Sequence, residues 1–445
     1  MAKELFGTDG IRGVAGEAPL DPATVYALGV ALGQGVRHHR PSPEVVIGAD
    51  TRESGTGLAE LVAGGLAAGG ARVRFAGVVT TPGIAYLARR GPFAAGIMIS
   101  ASHNPYRDNG IKVFDHSGFK LPDGEEHRIE QEIFRLRDGL NPRVLRLEVD
   151  PGLDREYLAY LASSVGVRFD GLHVALDCGN GAAYRLGPEL FRGLGARVTA
   201  FAAEPNGQNI NLNCGATHVE PLRQVVLEAG ADCGVAFDGD ADRAIFVSCR
   251  GKVLDGDTVL LAAARALRAA GKLAGDLVVA TVMSNLGLER ALAAEGIRML
   301  RTPVGDKYVL EEMVRTGATL GGEQSGHVIF REHATTGDGL LTALKMLEIS
   351  HSYGYDLEQL TAGLEIYPQK LVNVRVREKK ELTGVPAVAR EISAVEAAFA
   401  GAGRVLVRFS GTEPLARVMV EGPDLERVER FTELIAAAIR REMGA

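Results

Sequence analysis

Residues 94–114 read AAGIMIS–ASHNPYRDNG–IKVF: an apolar run enters a polar, glycine-containing loop and leaves through a second apolar run. The same order recurs in CGVAF–DGDADR–AIFVS at 233–248 and in ATLGG–EQSGH–VIF at 318–330. Each stretch predicts a strand, a functional loop and a second strand, because ligands of α/β proteins usually sit at strand ends. The threefold recurrence indicates internal duplication.

Around these stretches, short β-branched runs alternate with Ala- and Leu-rich helical segments. The alternation predicts helices at 22–39, 56–69, 182–194 and 286–295, and strands at 44–49, 72–78, 173–177, 197–202, 277–282 and 297–300. Such alternation is typical of βαβ units, so we expect largely parallel sheets.

The last stretch, about 370–440, has a different pattern that predicts a small α+β module. Its expected strands are 371–376, 404–409 and 416–421, and its expected helices are 384–399 and 424–440. With the breaks further upstream, the chain is predicted to form four domains, at 1–153, 154–253, 254–367 and 368–445.

Composition narrows the class of protein. Of 445 residues 46% are hydrophobic and 24% charged, which excludes disorder over most of the length. A net charge of −7 argues against a nucleic-acid or membrane-surface partner, so positive charge for an acidic ligand must be concentrated locally. The four cysteines form no CxxC pair, no signal peptide opens the chain, and no run of about 18 apolar residues occurs. We expect a reduced, cytoplasmic protein.

The sharpest motif is DGDADR, which carries Asp238, Asp240 and Asp242 after an apolar run. Alternate carboxylates in an extended loop can converge on one hard cation such as magnesium or calcium. An EF-hand would need glycine and glutamate where Arg243 and Cys249 stand, so that interpretation fails. The arginine beside three acids suggests that a second anion, such as a metal-bound phosphate, enters the site. A solvated acidic turn is the alternative.

Ser102 ends a buried-type strand on a loop held by Asn-Pro, a suitable place for a nucleophile or phosphate carrier. A serine hydrolase with His103 as base is the rival interpretation. Neighbouring side chains of an extended segment point to opposite sides, so His103 is not expected to reach the serine hydroxyl. No G-x-S-x-G elbow occurs. An ordinary turn remains the alternative.

A third motif, RFSGTEPLAR, offers Arg408, Ser410, Gly411, Thr412 and Arg417. Glycine allows backbone amides to form an anion nest, hydroxyls donate further hydrogen bonds, and arginines grip phosphate oxygens bidentately. This is the local positive site that an acidic chain needs for a phosphorylated ligand. A hairpin turn with surface arginines is the alternative.

Two further segments carry weaker signals. Glu323, Ser325 and His327 lie between glycines, which suits recognition of a sugar's vicinal hydroxyls and is equally typical of a turn. The opening GTDGIRG at 7–13 follows no proper strand and is not a dinucleotide fingerprint. Lys112, just after the serine loop, could add positive charge or be an ordinary strand-edge lysine.

Taken together and in this order, GTDGIRG, ISASHNP, DGDADR, GEQSGH and RFSGTEP resemble the motifs of the α-D-phosphohexomutase superfamily. Within it, ISASHNP, GEQSGH, NINLNCG (209–215) and VGDKYV (304–309) are most similar to the bacterial phosphoglucosamine mutases. Lys307 departs from that subfamily, in which arginine is commoner at this position.

The resemblance implies a fold of three related mixed-sheet α/β domains plus a C-terminal α+β phosphate-binding domain around a central cleft. It implies interconversion of glucosamine 6-phosphate and glucosamine 1-phosphate through a phosphoserine and a sugar 1,6-bisphosphate, which supplies UDP-N-acetylglucosamine synthesis. A phosphomannomutase/phosphoglucomutase of the same superfamily is the alternative. The partner would be a small phosphosugar rather than nucleic acid or membrane, and a homodimer is left open.

The resemblance also assigns roles to residues of this chain. Ser102 would be the phosphoserine and, with Asp238, Asp240 and Asp242, would hold one Mg²⁺; Arg243 would neutralise the transferring phosphoryl group. Lys112 and His327 are the candidates for general acid/base, with Lys112 favoured. Substrate contacts would come from Arg12, Glu323, Ser325, Arg408, Ser410, Gly411, Thr412 and Arg417. A sugar 1,6-bisphosphate would act as activator.

Two interpretations from other classes stay open. In a phosphatase of the haloacid-dehalogenase type, Asp238 would be the nucleophile and Asp240 its acid/base, which leaves Ser102 and the Arg408 loop without a role. A non-enzymatic phosphosugar- or metal-binding protein would use the same loops without turnover.

Overall fold

Apolar strands and amphipathic helices build four sheets in the part of the chain that the structure, a computed structural model, describes: residues 4–39, 42–379, 384–410 and 414–445. The chain divides into two compact units. The larger unit contains Met1–Thr281 and Thr302–Ala362, and the smaller contains Val282–Arg301 and Gly363–Ala445.

The first sheet has six strands in the order β1-β2-β6-β5-β3-β4. They are β1 (Phe6–Gly7), β2 (Gly10–Val14), β3 (Glu44–Ala49), β4 (Arg72–Val78), β5 (Phe93–Ile99) and β6 (Asp108–Asp115). The accompanying helices are α1 (Pro22–His39), α2 (Gly55–Ala68), α3 (Thr81–Arg90) and α4 (Asp123–Leu136). Strand β3 runs parallel to β4 and β5, whereas β6 runs antiparallel to both β5 and β2. The serine loop is therefore the connection of the β5–β6 hairpin.

The second sheet has the order β11-β10-β9-β7-β8. Its segment of the chain forms α5 (Leu153–Ser163), β7 (His173–Asp177), α6 (Ala183–Gly193), β8 (Arg197–Phe201), α7 (Glu220–Ala229), β9 (Cys233–Phe237), β10 (Ala244–Ser248) and β11 (Val253–Leu254). Strand β7 is parallel to β8 and β9, and β9 is antiparallel to β10. The DGDADR loop thus joins β9 to β10, in the same place that the serine loop occupies in the first sheet.

The following segment forms α8 (Gly256–Ala269), β12 (Leu277–Thr281), α9 (Leu286–Ala294), β13 (Arg298–Thr302), α10 (Asp306–Thr316), β14 (Leu320–Gly322), β15 (Val328–Phe330) and α11 (Gly339–Tyr353). Strand β14 pairs in parallel with β12 and antiparallel with β15. The GEQSGH loop is the connection of this third hairpin. Helix α9 and residues 298–301 belong to the smaller unit.

The rest of the smaller unit is the α+β module expected at the end of the chain. It contains β16 (Gln369–Arg375), α12 (Pro386–Phe399), β17 (Arg404–Phe409), β18 (Leu415–Glu421) and α13 (Leu425–Met443). All pairings in this sheet, whose order is β16-β18-β17, are antiparallel. Buried residues such as Val418, Phe431 and Ile435 form its core between the sheet and the helices.

The predicted elements are confirmed, with ends that shift by a few residues, and so are the three mixed-sheet α/β domains and the α+β module. The expectation of largely parallel sheets is wrong. Each functional loop joins two neighbouring strands directly, and a short connection of this kind can link only antiparallel neighbours. The boundaries at 153, 253 and 367 stay predictions. Among the described residues, no helix combines the length and the apolar character that a membrane crossing requires.

Candidate active site

The serine loop and the DGDADR loop meet inside the larger unit. Ser102 Oγ donates a hydrogen bond of 2.6 Å to Asp238 Oδ2, although 136 residues separate the two in the chain. Both side chains are buried. Each loop joins a pair of neighbouring antiparallel strands, β5 and β6 for the first loop and β9 and β10 for the second.

The backbone of Ser102 is left-handed, with φ +53°, so the residue lies in a turn rather than in an extended segment. This overturns the argument that His103 cannot reach the serine hydroxyl: His103 Nδ1 lies 3.3 Å from Ser102 Oγ. Burial, with Arg243 and Arg12 nearby, lowers the pKa of His103 to about 4. The imidazole is therefore neutral near pH 7, while the serine proton is directed to Asp238.

The three carboxylates of the DGDADR loop form a group fitted for a cation. Asp238, Asp240 and Asp242 are buried, and one oxygen from each lies within 4.8 Å of the others. Asp240 Oδ1 and Asp242 Oδ1 are buried and make no hydrogen bond within the described chain. Buried carboxylate oxygens without a donor are costly unless a cation completes them, and oxygen ligands suit Mg²⁺ or Ca²⁺. The residues present thus fit a divalent metal ion.

Within the triplet, the pKa values of Asp238 and Asp242 are shifted in opposite directions. Burial, reinforced by Asp242 and Asp240, raises the pKa of Asp238 well above its usual value. Burial also opposes ionisation of Asp242, but Lys112 and His327 outweigh it and lower the pKa of this carboxyl. A divalent cation would offset the repulsion from Asp242 and Asp240 that adds to the effect of burial on the pKa of Asp238.

Lys112 lies on β6 beside the triplet rather than at a solvent-facing edge, and its side chain is buried. Its Nζ is 2.9 Å from Asp240 Oδ2, 2.9 Å from Asp9 Oδ2 and 3.6 Å from Asp242 Oδ2. Burial alone would lower the pKa of Lys112, but these carboxylates raise it well above its usual value. Lys112 is thus a fixed ammonium group whose N–H bonds are directed at these carboxylates.

His327, from the GEQSGH loop, faces the triplet from the other side. Its Nδ1 lies 3.6 Å from Asp242 Oδ1, while its Nε2 accepts a 2.9 Å hydrogen bond from the amide of Gly337. The carboxylates around the ring raise the pKa of His327 against the effect of burial. The amide contact favours the neutral form with the proton on Nδ1, since a protonated Nε2 could not accept it. A cation on Asp242 would cancel part of the effect of the carboxylates on the pKa of His327 and would favour the neutral ring as well.

Three charged residues of this network were not assigned roles from the sequence. Lys120 is partly buried and hydrogen-bonded to both Asp9 and Asp306. Asp306 Oδ2 lies 3.8 Å from His327 Nε2, so the chain of charges runs from Lys112 through Asp9 and Lys120 to the imidazole. Asp9 and Asp306 stand inside the quoted motifs GTDGIRG and VGDKYV, which was the available signal, whereas Lys120 lies in no motif.

The arginines near the triplet are suited to an anion. Arg12 donates to Asp9 at 2.6 Å, and Arg243 Nε is 3.8 Å from Asp242 and 4.0 Å from Asp238. The Nε atoms of both arginines are buried without a hydrogen-bond acceptor among the described residues. Glu323 Oε1 accepts from the amide of Gly305 at 3.1 Å.

The remaining predicted residues divide between the units. Ser325 is exposed on the GEQSGH loop in the larger unit. In the smaller unit, Arg408 and Arg417 are paired across β17 and β18, and burial together with Arg417 lowers the pKa of Arg408. Arg417 donates to Ser410 Oγ at 3.4 Å, and Ser410 is buried.

Two predicted phosphate ligands, Gly411 and Thr412, lie outside the described residues.

Comparison with known proteins identifies one family along most of the chain. Four models of the phosphoglucomutase/phosphomannomutase family match: alpha/beta/alpha domain I at 3–139, domain II at 155–251, domain III at 255–367 and the C-terminal domain at 371–438.

The relatives include phosphoglucosamine mutases from Solibacter usitatus and Koribacter versatilis. The first is 70% identical over 100% of both chains, and the second is 49% identical over 99% of this chain and 98% of its own. A phosphoglucomutase/phosphomannomutase family protein from Burkholderia thailandensis has a solved structure that superposes with a TM-score of 0.80 at 25% identity, covering 99% of this chain and 98% of that one. N-acetylphosphoglucosamine mutase from Aspergillus fumigatus shares the fold, with a TM-score of 0.67 at 18% identity, covering 99% of this chain and 96% of that one. The chain belongs to the phosphoglucomutase/phosphomannomutase family of α-D-phosphohexomutases.

Proposed function

We propose that this protein is a phosphoglucosamine mutase that interconverts glucosamine 6-phosphate and glucosamine 1-phosphate. The observation that carries the proposal is the placement of Ser102 Oγ 2.6 Å from Asp238, at the edge of a buried triplet of carboxylates. The subfamily assignment is supported by the names of the relatives at 70% and 49% identity. The product glucosamine 1-phosphate would feed UDP-N-acetylglucosamine synthesis.

In the first half of the proposed reaction, the phosphoryl group on Ser102 passes to the free hydroxyl of the sugar phosphate. The bond between Ser102 Oγ and phosphorus breaks, the bond between the sugar oxygen and phosphorus forms, and the hydroxyl proton leaves to a base. The resulting 1,6-bisphosphate reorients in the site, so that its other phosphate faces Ser102, and then transfers that phosphoryl group to Ser102. Such transfers depend on alignment and on neutralisation of charge more than on covalent chemistry by the protein.

The buried carboxylates Asp238, Asp240 and Asp242, with a phosphate oxygen on Ser102, would hold one Mg²⁺. The ion would neutralise charge on the phosphoryl group during transfer. Arg243 and Arg12, whose Nε atoms lack an acceptor among the described residues, would bind phosphoryl oxygens from the protein side. A trace of sugar 1,6-bisphosphate would restore Ser102 to its phosphorylated form.

Lys112 is the better candidate for the general acid/base. Both ring nitrogens of His327 are directed at protein groups, Gly337 and Asp242, whereas the Lys112 ammonium carries three protons beside the triplet. As the neutral amine Lys112 would accept the proton of the sugar hydroxyl in the first half-reaction, and as the ammonium it would return a proton to the sugar oxygen that leaves phosphorus in the second. The neighbouring carboxylates raise the pKa of Lys112, and a cation bound to the same carboxylates would offset part of that rise. His327 would then position Asp242.

Glu323 and Ser325 would bond the sugar hydroxyls in either orientation of the bisphosphate. Arg408, Ser410, Gly411, Thr412 and Arg417 would bind the phosphate that is not being transferred. We also propose that the protein acts in the cytoplasm, and its four unbridged cysteines fit a reducing compartment.

The direct test is a magnesium-dependent mutase assay that compares glucosamine 1-phosphate, glucose 1-phosphate and mannose 1-phosphate, each with a catalytic trace of the matching 1,6-bisphosphate. We expect a clear preference for the amino sugar in kcat/KM. Preference for glucose or mannose phosphate would keep the family and overturn the subfamily assignment.

Ser102→Ala tests the phosphoserine, with Ser163→Ala, an exposed residue of α5, as matched control. Ser102→Ala should abolish turnover while Ser163→Ala leaves it unchanged. Full activity in Ser102→Ala would point to Asp238 as nucleophile, as in a phosphatase, and phosphate release in place of isomerisation would support that alternative.

A further inference from the structure

The segment NINLNCG (209–215) has no role in the proposed reaction, yet one of its side chains reaches the serine loop. Asn211 is buried, and its Nδ2 donates to the carbonyl of Ser102 at 2.9 Å and to the carbonyl of Asn104 at 3.2 Å. These carbonyls flank His103 and define the turn in which Ser102 lies. Asn211 comes from the second α/β domain, so it connects that domain to the nucleophile loop of the first.

Arg52 donates to the same two carbonyls. Its Nη2 is 2.8 Å from the Ser102 oxygen and 2.9 Å from the Asn104 oxygen, and its Nη1 donates to the carbonyls of Asp108, at 2.9 Å, and Pro105. The side chain of Arg52 is fully buried. One guanidinium group therefore binds four carbonyls of the serine loop, a use of its planar fork that a lysine could not reproduce.

Arg52 is itself fixed by a buried acid. Asp50 Oδ2 accepts from Arg52 Nε at 2.9 Å and from Ser100 Oγ at 2.6 Å. Ser100 Oγ in turn accepts the amide of Ser102 at 2.9 Å. The amide and the carbonyl of Ser102 are thus both held by a single buried cluster.

The DGDADR loop packs against the carbonyl of Ser102. A Cβ placed on Gly239 would lie 2.5 Å from the Ser102 carbonyl oxygen and 2.9 Å from Asn211 Nδ2, so only glycine fits between Asp238 and Asp240. The Ser102 carbonyl is therefore where Arg52, Asn211 and the DGDADR loop meet. Its position sets where Ser102 Oγ lies relative to the carboxylates.

We propose that Asn211 and Arg52 are positioning residues for the phosphoryl transfer, which hold the Ser102 turn against the metal loop. A non-glycine residue at φ +53° is strained and persists only where its surroundings fix it. Four hydrogen bonds supply that constraint: Arg52 Nη2 and Asn211 Nδ2 each donate to the carbonyls of Ser102 and Asn104. The inference rests on the proposed function, because Ser102 must be the phosphoryl carrier for its alignment to matter.

Asn211→Gly is the primary test, because Asn211 has φ +57° and glycine adopts that conformation without strain. Asn213→Gly is the matched control: it lies two residues further along the same segment, has φ +54° and is exposed. We expect Asn211→Gly to lower kcat about tenfold at an equal phosphorylated fraction of Ser102, measured by intact mass, with KM for the sugar phosphate within about twofold. The control should keep both constants.

Asn211→Asp separates alignment from space filling. Aspartate keeps the size and the tolerance of positive φ but turns two donors into acceptors that face carbonyl oxygens. Positioning therefore predicts a lower kcat for Asn211→Asp than for Asn211→Gly, whereas a space-filling role predicts the reverse order. Arg52→Lys, which keeps the charge opposite Asp50, should also lower kcat more than it raises KM.

Wild type and Ser102→Ala, assayed in parallel, distinguish the two levels of the argument. Suppose that wild type turns over, Ser102→Ala does not, and the kcat of Asn211→Gly is within about twofold of that of Asn213→Gly. This result would overturn the inference and leave the proposed function intact. Absence of mutase turnover in wild type would overturn both.

Discussion

Asp242 shows at the level of one residue why the carboxylate triplet favours a cation. Its Oδ1 is buried and makes no hydrogen bond within the described chain; His327 Nδ1 and Arg243 Nε lie 3.6 and 3.8 Å from this oxygen. The three carboxyl groups lie within 4.8 Å of one another, and two of them have a buried oxygen that accepts no hydrogen bond within the described chain. A divalent ion is the simplest group that satisfies both the charge and the open oxygens.

Asp242→Asn should weaken divalent-ion binding at least about tenfold, since it removes one of three anionic ligands. Calorimetric titration with Mg²⁺ or Mn²⁺ measures the affinity directly. Asp170→Asn, a change in an exposed acid paired with Arg168, is the control and should leave binding unchanged. Equal affinity in Asp242→Asn and wild type would exclude Asp242 as a ligand.

Lys112→Met tests the acid/base assignment. Loss of a positioned proton donor lowers turnover by about 10²–10⁴-fold, so we expect kcat to fall into that range. Metal binding should persist or tighten, because the variant removes a cation 2.9 Å from Asp240. His327→Gln assayed beside it should retain more activity; the opposite order would transfer the acid/base role to His327.

At the level of elements, two helices support the metal loop with their amino-terminal ends. The amide of Thr81, the first residue of α3, donates to the carbonyl of Asp240 at 3.0 Å, and the Thr81 hydroxyl donates to the Asp240 carboxylate. The amide of Gly339, the first residue of α11, donates to the carbonyl of Ala241 at 3.0 Å. Helix amino termini carry partial positive charge, so both helices stabilise an acidic loop that repels itself.

Asp338, which caps the amino-terminal end of α11, is expected to make the stability of the protein depend on pH. Asp338 accepts the amide of Leu341 at 2.9 Å and the hydroxyl of Tyr157 at 2.7 Å, yet burial raises the pKa of this carboxyl to about 6. The folded state binds the proton of Asp338 more tightly than the unfolded chain does. The contribution of Asp338 to the free energy of unfolding therefore falls as pH rises from about 4 to about 6 and stays constant at higher pH.

Thermal melts of wild type and Asp338→Asn between pH 4 and pH 8 measure this effect. Asparagine still caps the helix but does not ionise. The melting temperature of the variant minus that of wild type should therefore increase from about pH 4 to about pH 6 and be constant above about pH 6. A difference that is constant across the whole range would show that Asp338 does not titrate in this window.

At the level of the whole molecule, the smaller unit is assembled from two separate stretches of chain. Glu421, fully buried on β18, accepts from Arg404 at 2.7 Å and from the amide of Leu286 at 2.9 Å. Arg404 also donates to the carbonyls of Val282 and Ser284. One buried ion pair thus attaches residues 282–301 to the C-terminal sheet.

Arg404→Met should loosen the smaller unit selectively, because it leaves the Glu421 carboxylate buried without its cation, at a cost of about 3–5 kcal/mol. Hydrogen exchange followed by mass spectrometry should show faster exchange in residues 282–301 and in β18, and unchanged exchange in α1 and β3. Uniform acceleration across the chain would contradict separate units.

The sequence by itself determined the local structure and the chemistry of the loops. Periodicity placed α1 and β3 at their observed ends, and recurrence of one pattern identified three strand–loop–strand units whose loops carry Ser102, Asp238 and His327. That each unit is an antiparallel hairpin came only from the structure. These features are local, since side-chain spacing along a strand or helix is set by backbone geometry within a few residues. The residue types in these loops were also enough to predict a divalent-metal site and a phosphoryl carrier.

Only the tertiary structure decided which charges meet. Lys120, which bridges Asp9 and Asp306, has no neighbour in the sequence that distinguishes it from a surface lysine. The left-handed turn at Ser102, which brings His103 to the hydroxyl, depends on donors from Arg52 and Asn211 that lie 50 and 109 residues away. Contacts over such separations follow from how the sheets and domains pack, and no local pattern in the sequence encodes them.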